Sequence, residues 1–436
     1  MLDSIINIRP AVKDLVANYK DFSLYDYSKI LVQKGSHGPQ ILNTSVNIIA
    51  EDITKRFLSI QRSDVEKTLV QLGSVDTAGH GGILSEDTIT QGYLIGATGA
   101  KQLDIPCYIA FACGVVPMNN NTWPRGFFSK GKRVSIFPKS FDRLPFHECP
   151  AFQDDLIKKA KTESKDKDSQ ALLDFIQNLP NVYRFEDFAD QSCYINFNLW
   201  KQINKATLPS LLPLPLEHIT AKLVIENIKQ DGLLNRILFE EPFRKLVIDK
   251  LRGLPGTWDE EKHKGTHFFW ARNSDFRYSG LWETEGVLQG SFNVEYSKEE
   301  IIEKLNSKKI VPGVFLSLLS LVCSGFKCLG GYHQIGYLPE YKKRLCELGA
   351  MDCKKTDENV WQYFSPALSY GPVFLTEKHS IENSEGSIIP YSGMRPKYID
   401  SMLRDNVTDT DIEKLKYITM YQGLELNFDR LKIEIR

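Results

Sequence analysis

The chain has almost no imbalance of charge. Its 436 residues carry 54 Lys and Arg against 55 Asp and Glu, a formal net charge of −1. Without a basic excess or stripe it advertises no polyanion partner, so no nucleic acid is expected. The opening residues MLDSIINIRP lack the basic-then-apolar order of a secretory signal, and the compartment expected is the cytoplasm. A long unbroken apolar run is missing too. Ile310 to Phe326 comes nearest, but Pro312, Gly313, Gly325 and serines at 317, 320 and 324 interrupt it. It falls short of the ~20 residues a membrane span requires, so a buried core helix and no membrane partner are expected. Neither a G-x-S-x-G elbow nor a G-x-x-x-x-G-K-[ST] loop occurs, which argues against an ordinary serine hydrolase and a Walker-type ATPase.

Metal-binding patterns are equally scarce. The 8 cysteines sit at irregular spacings, which favours reduced thiols over a disulfide framework. Cys323 and Cys328 have the wrong separation for a zinc knuckle, and His263 and His267 flank Gly265 ahead of a β-type run, where no helix would align them. No metal site is assigned from the sequence.

What is present is an ordinary globular composition, 42% hydrophobic and 25% charged, in a chain long enough for two or three units. Residues 1–65 read as an N-terminal helical cap, with helical patterns at Ala11–Tyr19 and Ser45–Phe57. Residues 66–150 read as the first half of a core: EKTLVQLGSV as a strand, then a glycine-rich turn, then a helix. Ser85 caps that helix, and Glu86 and Asp87 suit its first turn. IPCYIAFACGVVPM follows as a second buried strand. Residues 151–215 read as a charged helical excursion or mobile loop, with too few apolar positions to bury, followed by the Pro-rich connector LPSLLPLPLEH. Residues 216–436 supply the second half of the core and a C-terminal α+β region. There HFFWARNSDFRYSGLW and VLQGSFNVEYS read as strands, and Ser297 with Glu300 as a capping box. Strand, helix, strand over about 50 residues marks a parallel unit, so the fold class expected is α/β, a Rossmann-like parallel sheet core with helical and mixed α+β additions. The glycine turn then falls at the carboxyl end of the first strand, where such sheets bind ligands.

Thr77, Ala78, Gly79 and His80 match the T/H-x-G-H signature of nucleotidylyltransferase-like enzymes. With Gly81 and Gly82 they could offer backbone N–H groups and an imidazole to a phosphate; the alternative is a tight turn whose histidine packs. Asn120 and Arg125, in NNNTWPRGFF, could hold a carboxylate or phosphate, or belong to a solvated loop. His267, Trp270 and Arg277 could grip an aromatic base or an acidic substrate, or lie on a strand packed in the core.

The segment SVDTAGHGGILSEDTITQGYLIGATGAKQL resembles the glycine-rich segment of the bacillithiol-pathway cysteine-adding enzymes, a Rossmann-cored, ligase-like family distantly related to the histidine-signature nucleotidyltransferases. IVPGVFLSLLSLVCSGFKCLGGYHQIGYLPEY is similar to that family's second landmark, an apolar helix entering a Gly-Gly turn. The resemblance implies that Gly330 and Gly331 allow a close backbone approach to the cofactor and that His333 and Gln334 face the cleft. Two departures limit it: VVPMNNNTWPRGFF replaces the family's acidic, histidine-containing segment, and the long coiled-coil arm is missing. It therefore implies the core and a nucleotide-like pocket, and not cysteine as substrate.

The function expected is a ligase-like joining of a small amino-acid or carboxylate molecule to an acceptor. His80 and Arg125 would be catalytic, and ATP or another nucleotide, with Mg²⁺ as a companion, would sit at Thr77–Gly82. Two alternatives stand beside it: a nucleotidylyltransferase releasing pyrophosphate, and a catalytically silent relative that binds a ligand or a protein. A small-molecule substrate is the partner expected, and an oligomer is left open.

Overall fold

A computed structural model describes residues 13, 17–33, 41–84, 87–119, 125–129, 132–230, 232–272, 274, 278–330, 334–350 and 406–421. The elements run α1 (Leu24–Val32), α2 (Asn43–Arg56), α3 (Arg62–Leu72), β1 (Ser74–His80), α4 (Asp87–Lys101) and β2 (Cys107–Cys113). The hairpin β3 (Gly126–Ser129) and β4 (Lys132–Ser135) follows, then α5 (Asp154–Glu163), α6 (Lys167–Gln177), α7 (Phe188–Ile203), β5 (Ser210–Pro215), α8 (Leu216–Lys229), α9 (Leu233–Phe239) and α10 (Glu241–Leu251). Seven short strands come next: β6 (Trp258–Asp259), β7 (Lys264–Gly265), β8 (Phe269–Arg272), β9 (Tyr278–Gly280), β10 (Trp282–Thr284), β11 (Val287–Gln289) and β12 (Val294–Glu295). The rest is α11 (Lys298–Asn306), β13 (Ile310–Pro312), α12 (Val314–Cys323), β14 (Lys327–Leu329), α13 (Gln334–Glu347) and α14 (Asp409–Glu413).

The main sheet is four parallel strands in the order β14-β1-β2-β5. From β1 the chain moves outward through β2 and β5, then crosses back to lay β14 on the other side of β1. That order is the core of a doubly wound α/β fold, with its topological switch point between β1 and β14. Alternation along the strands divides the apolar residues between two cores. Val75, Cys107, Ile109, Phe111, Leu212 and Leu214 face the one built with α2, α3, α8 and α12. Tyr108, Ala110, Leu211 and Leu329 face the one built with α1, α4 and α7. Smaller antiparallel sheets, β13-β8-β9 and β10-β11-β12, flank the second half of the chain. The architecture is thus α/β, a Rossmann-like core with helical and mixed α+β additions.

Several elements differ from the sequence expectation. Glu66–Leu72 is helical, because the apolar positions Val65, Leu69 and Leu72 recur at helical spacing. Gly73, at φ 60°, ends that helix in the left-handed conformation. The strand therefore begins at Ser74, and Thr77–His80 are its last residues, not a loop. The Pro-rich connector contains β5, paired along its length with β2. It lies at the sheet edge, where a proline's missing N–H costs no ladder bond. The charged segment from residue 151 forms the packed helices α5 and α6, which bury Ile157, Ala160, Leu172, Leu173 and Ile176 in a narrow stripe. In the first part of the chain, α1 lies on α4 with the Ser28 backbone against Gly99. The helix expected at Ala11–Tyr19 falls mostly outside the described residues, as do Ser85 and Glu86. Cys107, Cys113, Cys149, Cys193, Cys323 and Cys328 are free thiols as expected, while Cys346 is disulfide-bonded. No described helix is long and apolar enough to cross a membrane.

Candidate active site at the carboxyl edge of the sheet

β5 runs directly into α8, which brings Glu217 back to the end of β2. Its carboxylate accepts the backbone N–H of Gly114 (2.9 and 3.0 Å) and of Val115 (3.2 Å). Gly114 allows this approach: a Cβ there would stand 2.8 Å from His147 Cβ and 3.1 Å from Glu217 Oε2. His147 comes from a 3₁₀ turn at Phe146–Glu148. Its Nδ1 lies 2.8 Å from the Gly114 carbonyl. A carbonyl only accepts, so this contact assigns the ring proton to Nδ1 and leaves a lone pair on Nε2. The residue is 3% exposed, and Nε2 makes no hydrogen bond. Burial pushes His147 down to about 4, against the opposing pull of the Glu217 charge. The imidazole is therefore neutral near pH 7, and the nearest acid to its basic nitrogen, Glu148 Oε1, stands 3.8 Å away, beyond hydrogen-bond reach.

His147 lines a cavity of about 530 Å³ together with Glu148, Glu186, Asp187, His218 and Lys308. That volume suits a small molecule. The flanking sheet contributes two side chains here. From β9, Tyr278 donates its hydroxyl to Glu148 Oε1 at 2.6 Å and lays its ring 4.5 Å from that of His147. From the turn before β13, Lys308 brings Nζ to 3.9 Å from Asp187 Oδ2.

On the cavity's inner side, Asp187 caps α7 by accepting the Asp190 N–H at 2.8 Å. The Asp190 carboxylate meets His218 Nδ1 at 3.5 Å and an Arg56 guanidinium nitrogen more closely. Arg56 also pairs with Asp52 at 2.7 Å, and Lys222 reaches the other oxygen of Asp52. The two α7 acids are pushed apart. Burial raises Asp187, reinforced by the Asp190 charge. Burial would raise Asp190 too, but His218 and Arg56 hold it down at about 2. Asp187, Asp190 and His218 each bring one ligand-type atom within 4.8 Å of the others.

The residues picked from sequence are distributed unevenly. Thr77 and Gln334 meet at the switch point: the Thr77 hydroxyl lies 3.0 Å from Gln334 Oε1, and Gln334 donates to Thr77 O at 2.9 Å. The two segments that the family resemblance pairs are therefore joined directly, with Gly330 buried beside Gln334. His80 is exposed at the end of β1, in register with Cys113 of β2. The glycines are closely covered. A Cβ on Gly79 would collide with the Tyr93 hydroxyl, and one on Gly81 with the Phe146 ring. Gly82 and Leu84 are clasped by Asn196, which donates to Gly82 O at 2.7 Å and accepts from Leu84 N at 2.6 Å. Arg125 is not available as an anion clamp: it pairs with Asp142 at 2.6 Å and donates to Phe137 O at 3.0 Å. His267 is buried away from the cavity, bonded to Glu260 and to the Glu283 N–H, with Trp258 and Trp282 at its edges. Trp270 pairs with Gly280 and Val311 within its small sheet. Asn120, Arg277, Gly331 and His333 lie outside the described residues.

Sequence reading missed His147, Asp187, Asp190, Glu217 and His218. Their only local signals are a histidine beside a glutamate in FHECP and again in PLEH, and an acid pair three apart at a helix start. The cavity is assembled from five separate chain segments. The fold and this edge cluster define an α/β protein with a ligand-sized cavity, carrying several charged groups, at the ends of its strands. No protein-family model, curated protein or solved structure matches the chain.

Proposed function

We propose that the chain is an enzyme that acts on a small molecule in the cavity beside the ends of β2 and β5, with His147 as general base. One observation carries the reading: a neutral imidazole held through Nδ1, whose buried Nε2 has no hydrogen-bond partner, on a residue that lines the cavity. Burying a nitrogen without a partner costs free energy, and such costs concentrate where a site is prepared for a reaction. Nε2 would take a proton from water or from an acceptor's hydroxyl, amine or thiol as it attacks the substrate. Lys308 would draw an anionic group of that substrate, and Glu217 would fix the backbone that orients the base. A ligase-like joining reaction on a substrate that already carries a leaving group and a hydrolysis both fit this chemistry: in each, the bond to the leaving group breaks as the nucleophile adds, and the proton held on Nε2 passes to that group.

The test is turnover of a metabolite mixture, read by mass spectrometry, with the wild type and His147→Gln. Loss of a general base lowers the rate by about 10²-fold or more. Equal turnover by both proteins would remove His147 from the reaction.

The second reading puts a nucleotide at Thr77–Gly82, favoured by the position of that segment at the switch point beside Gln334. Against it stands the packing of Tyr93 and Phe146 over Gly79 and Gly81. Thermal-shift titration with ATP, ADP and CTP plus Mg²⁺, on the wild type and His80→Ala, separates the two readings. Saturable stabilisation that weakens in the variant would move the site to the switch point.

A further inference from the structure

We propose that Asp187, Asp190 and His218 bind one divalent transition cation of the Zn²⁺ or Mn²⁺ type, on the wall of the cavity that His147 lines. The donor set is one imidazole and two carboxylates, which suits such ions better than the all-oxygen shells of Ca²⁺ or Mg²⁺. The spacing agrees. His218 Nδ1 and the Asp190 oxygen are 3.5 Å apart, close to the edge of a tetrahedron whose bonds are about 2.1 Å. The three ligand atoms lie within 4.8 Å of one another, so small side-chain rotations would close the set. Three ligands leave a coordination position for water or substrate, as in catalytic sites.

Charge points the same way. The cavity wall carries Glu148, Glu186 and Asp187 against Lys308, which faces Asp187, while Asp190 beside it is paired with Arg56. Arg56 already serves Asp190, but it is shared with Asp52, and a carboxylate has lone pairs beyond the one Arg56 engages. The independent observation is His147. Its ring centroid is 6.0 Å from that of His218, it is 3% exposed, and its Nε2 makes no hydrogen bond. It stands outside the three-ligand group and lines the same cavity as Asp187 and His218.

The inference rests on the same cavity as the proposed function, yet it is measured without turnover, so the two fail separately. The full chain, stripped with a chelator, is titrated with ZnCl₂ by calorimetry and with MnCl₂ by electron paramagnetic resonance, with MgCl₂ as control. One equivalent of Zn²⁺ or Mn²⁺ should bind, with little response to Mg²⁺. Asp187→Asn, which keeps a capping side chain, and His218→Gln should each weaken binding by about 100-fold or more, since removing even an outer-shell partner costs 10–100-fold. His147→Gln, which removes no ligand, should still bind one equivalent, more tightly than either ligand variant, while losing turnover. Circular dichroism confirms that each variant is folded. Absence of one-equivalent binding by the wild type would overturn the proposal and leave an Arg56-centred ion-pair network. So would binding undiminished in the folded Asp187→Asn and His218→Gln proteins, since the ion would then sit elsewhere.

Discussion

Gly114 has to be small. Enlarging it to alanine places a methyl group against both His147 and Glu217, so Gly114→Ala should move the base and cost about 1–3 kcal/mol, seen as a lower urea midpoint at constant slope. Asp76 makes a different residue-scale prediction. It is buried in β1, and burial pushes its carboxyl up to about 6, although the Ala78 N–H and the Tyr108 hydroxyl both pull it down. The folded chain therefore holds this proton more tightly than the unfolded one. Its contribution to stability is complete below pH ~4 and is lost as pH rises through about 6, a span of about 3 kcal/mol. Asp76→Asn should flatten that part of the pH–stability curve, and an unchanged slope would mean that Asp76 is ionised when folded. The same scale explains what the sequence hid. His80 stands out because its neighbours form a recognisable tetrapeptide. His147 and His218 are brought together across 71 residues by β5 and α8, and only a neighbouring glutamate marks either.

At the scale of elements, α7 organises the edge of the sheet. Its first turn supplies Asp187 and Asp190, and its middle supplies Asn196, which satisfies Gly82 O and Leu84 N at once. Asn196→Ala should cost about 1–3 kcal/mol by leaving both backbone groups unpaired, and Asn196→Asp, which still accepts from Leu84 N but sets a carboxylate oxygen against Gly82 O, should cost no less. Elements with a strong local signal were legible: α2 and α4 from their spacing, β2 from its bounded apolar run, and the cap of α11 from Ser297, which accepts the Glu300 N–H. Those that were misread depended on their surroundings. The run 66–72 is too short for period alone to separate helix from strand. β5 contains prolines that only an edge position excuses, and sequence does not show which strand will be at the edge. In α5 and α6 a few apolar residues suffice because other helices complete the burial.

At the scale of the molecule, one sheet separates and joins two cores, so neither can lose its strands without exposing the other. Unfolding should accordingly be one cooperative event, with near-UV and far-UV circular dichroism falling together in urea; two resolved transitions would show that the cores are independent. The edge strand β5 has a further consequence. Leu211–Pro215 are buried, and on the side away from β2 the prolines at 213 and 215 carry no N–H that would need a partner. The residues that disguise this strand in the sequence thus spare the interior two orphan donors, and replacing both with valine should lower the urea midpoint.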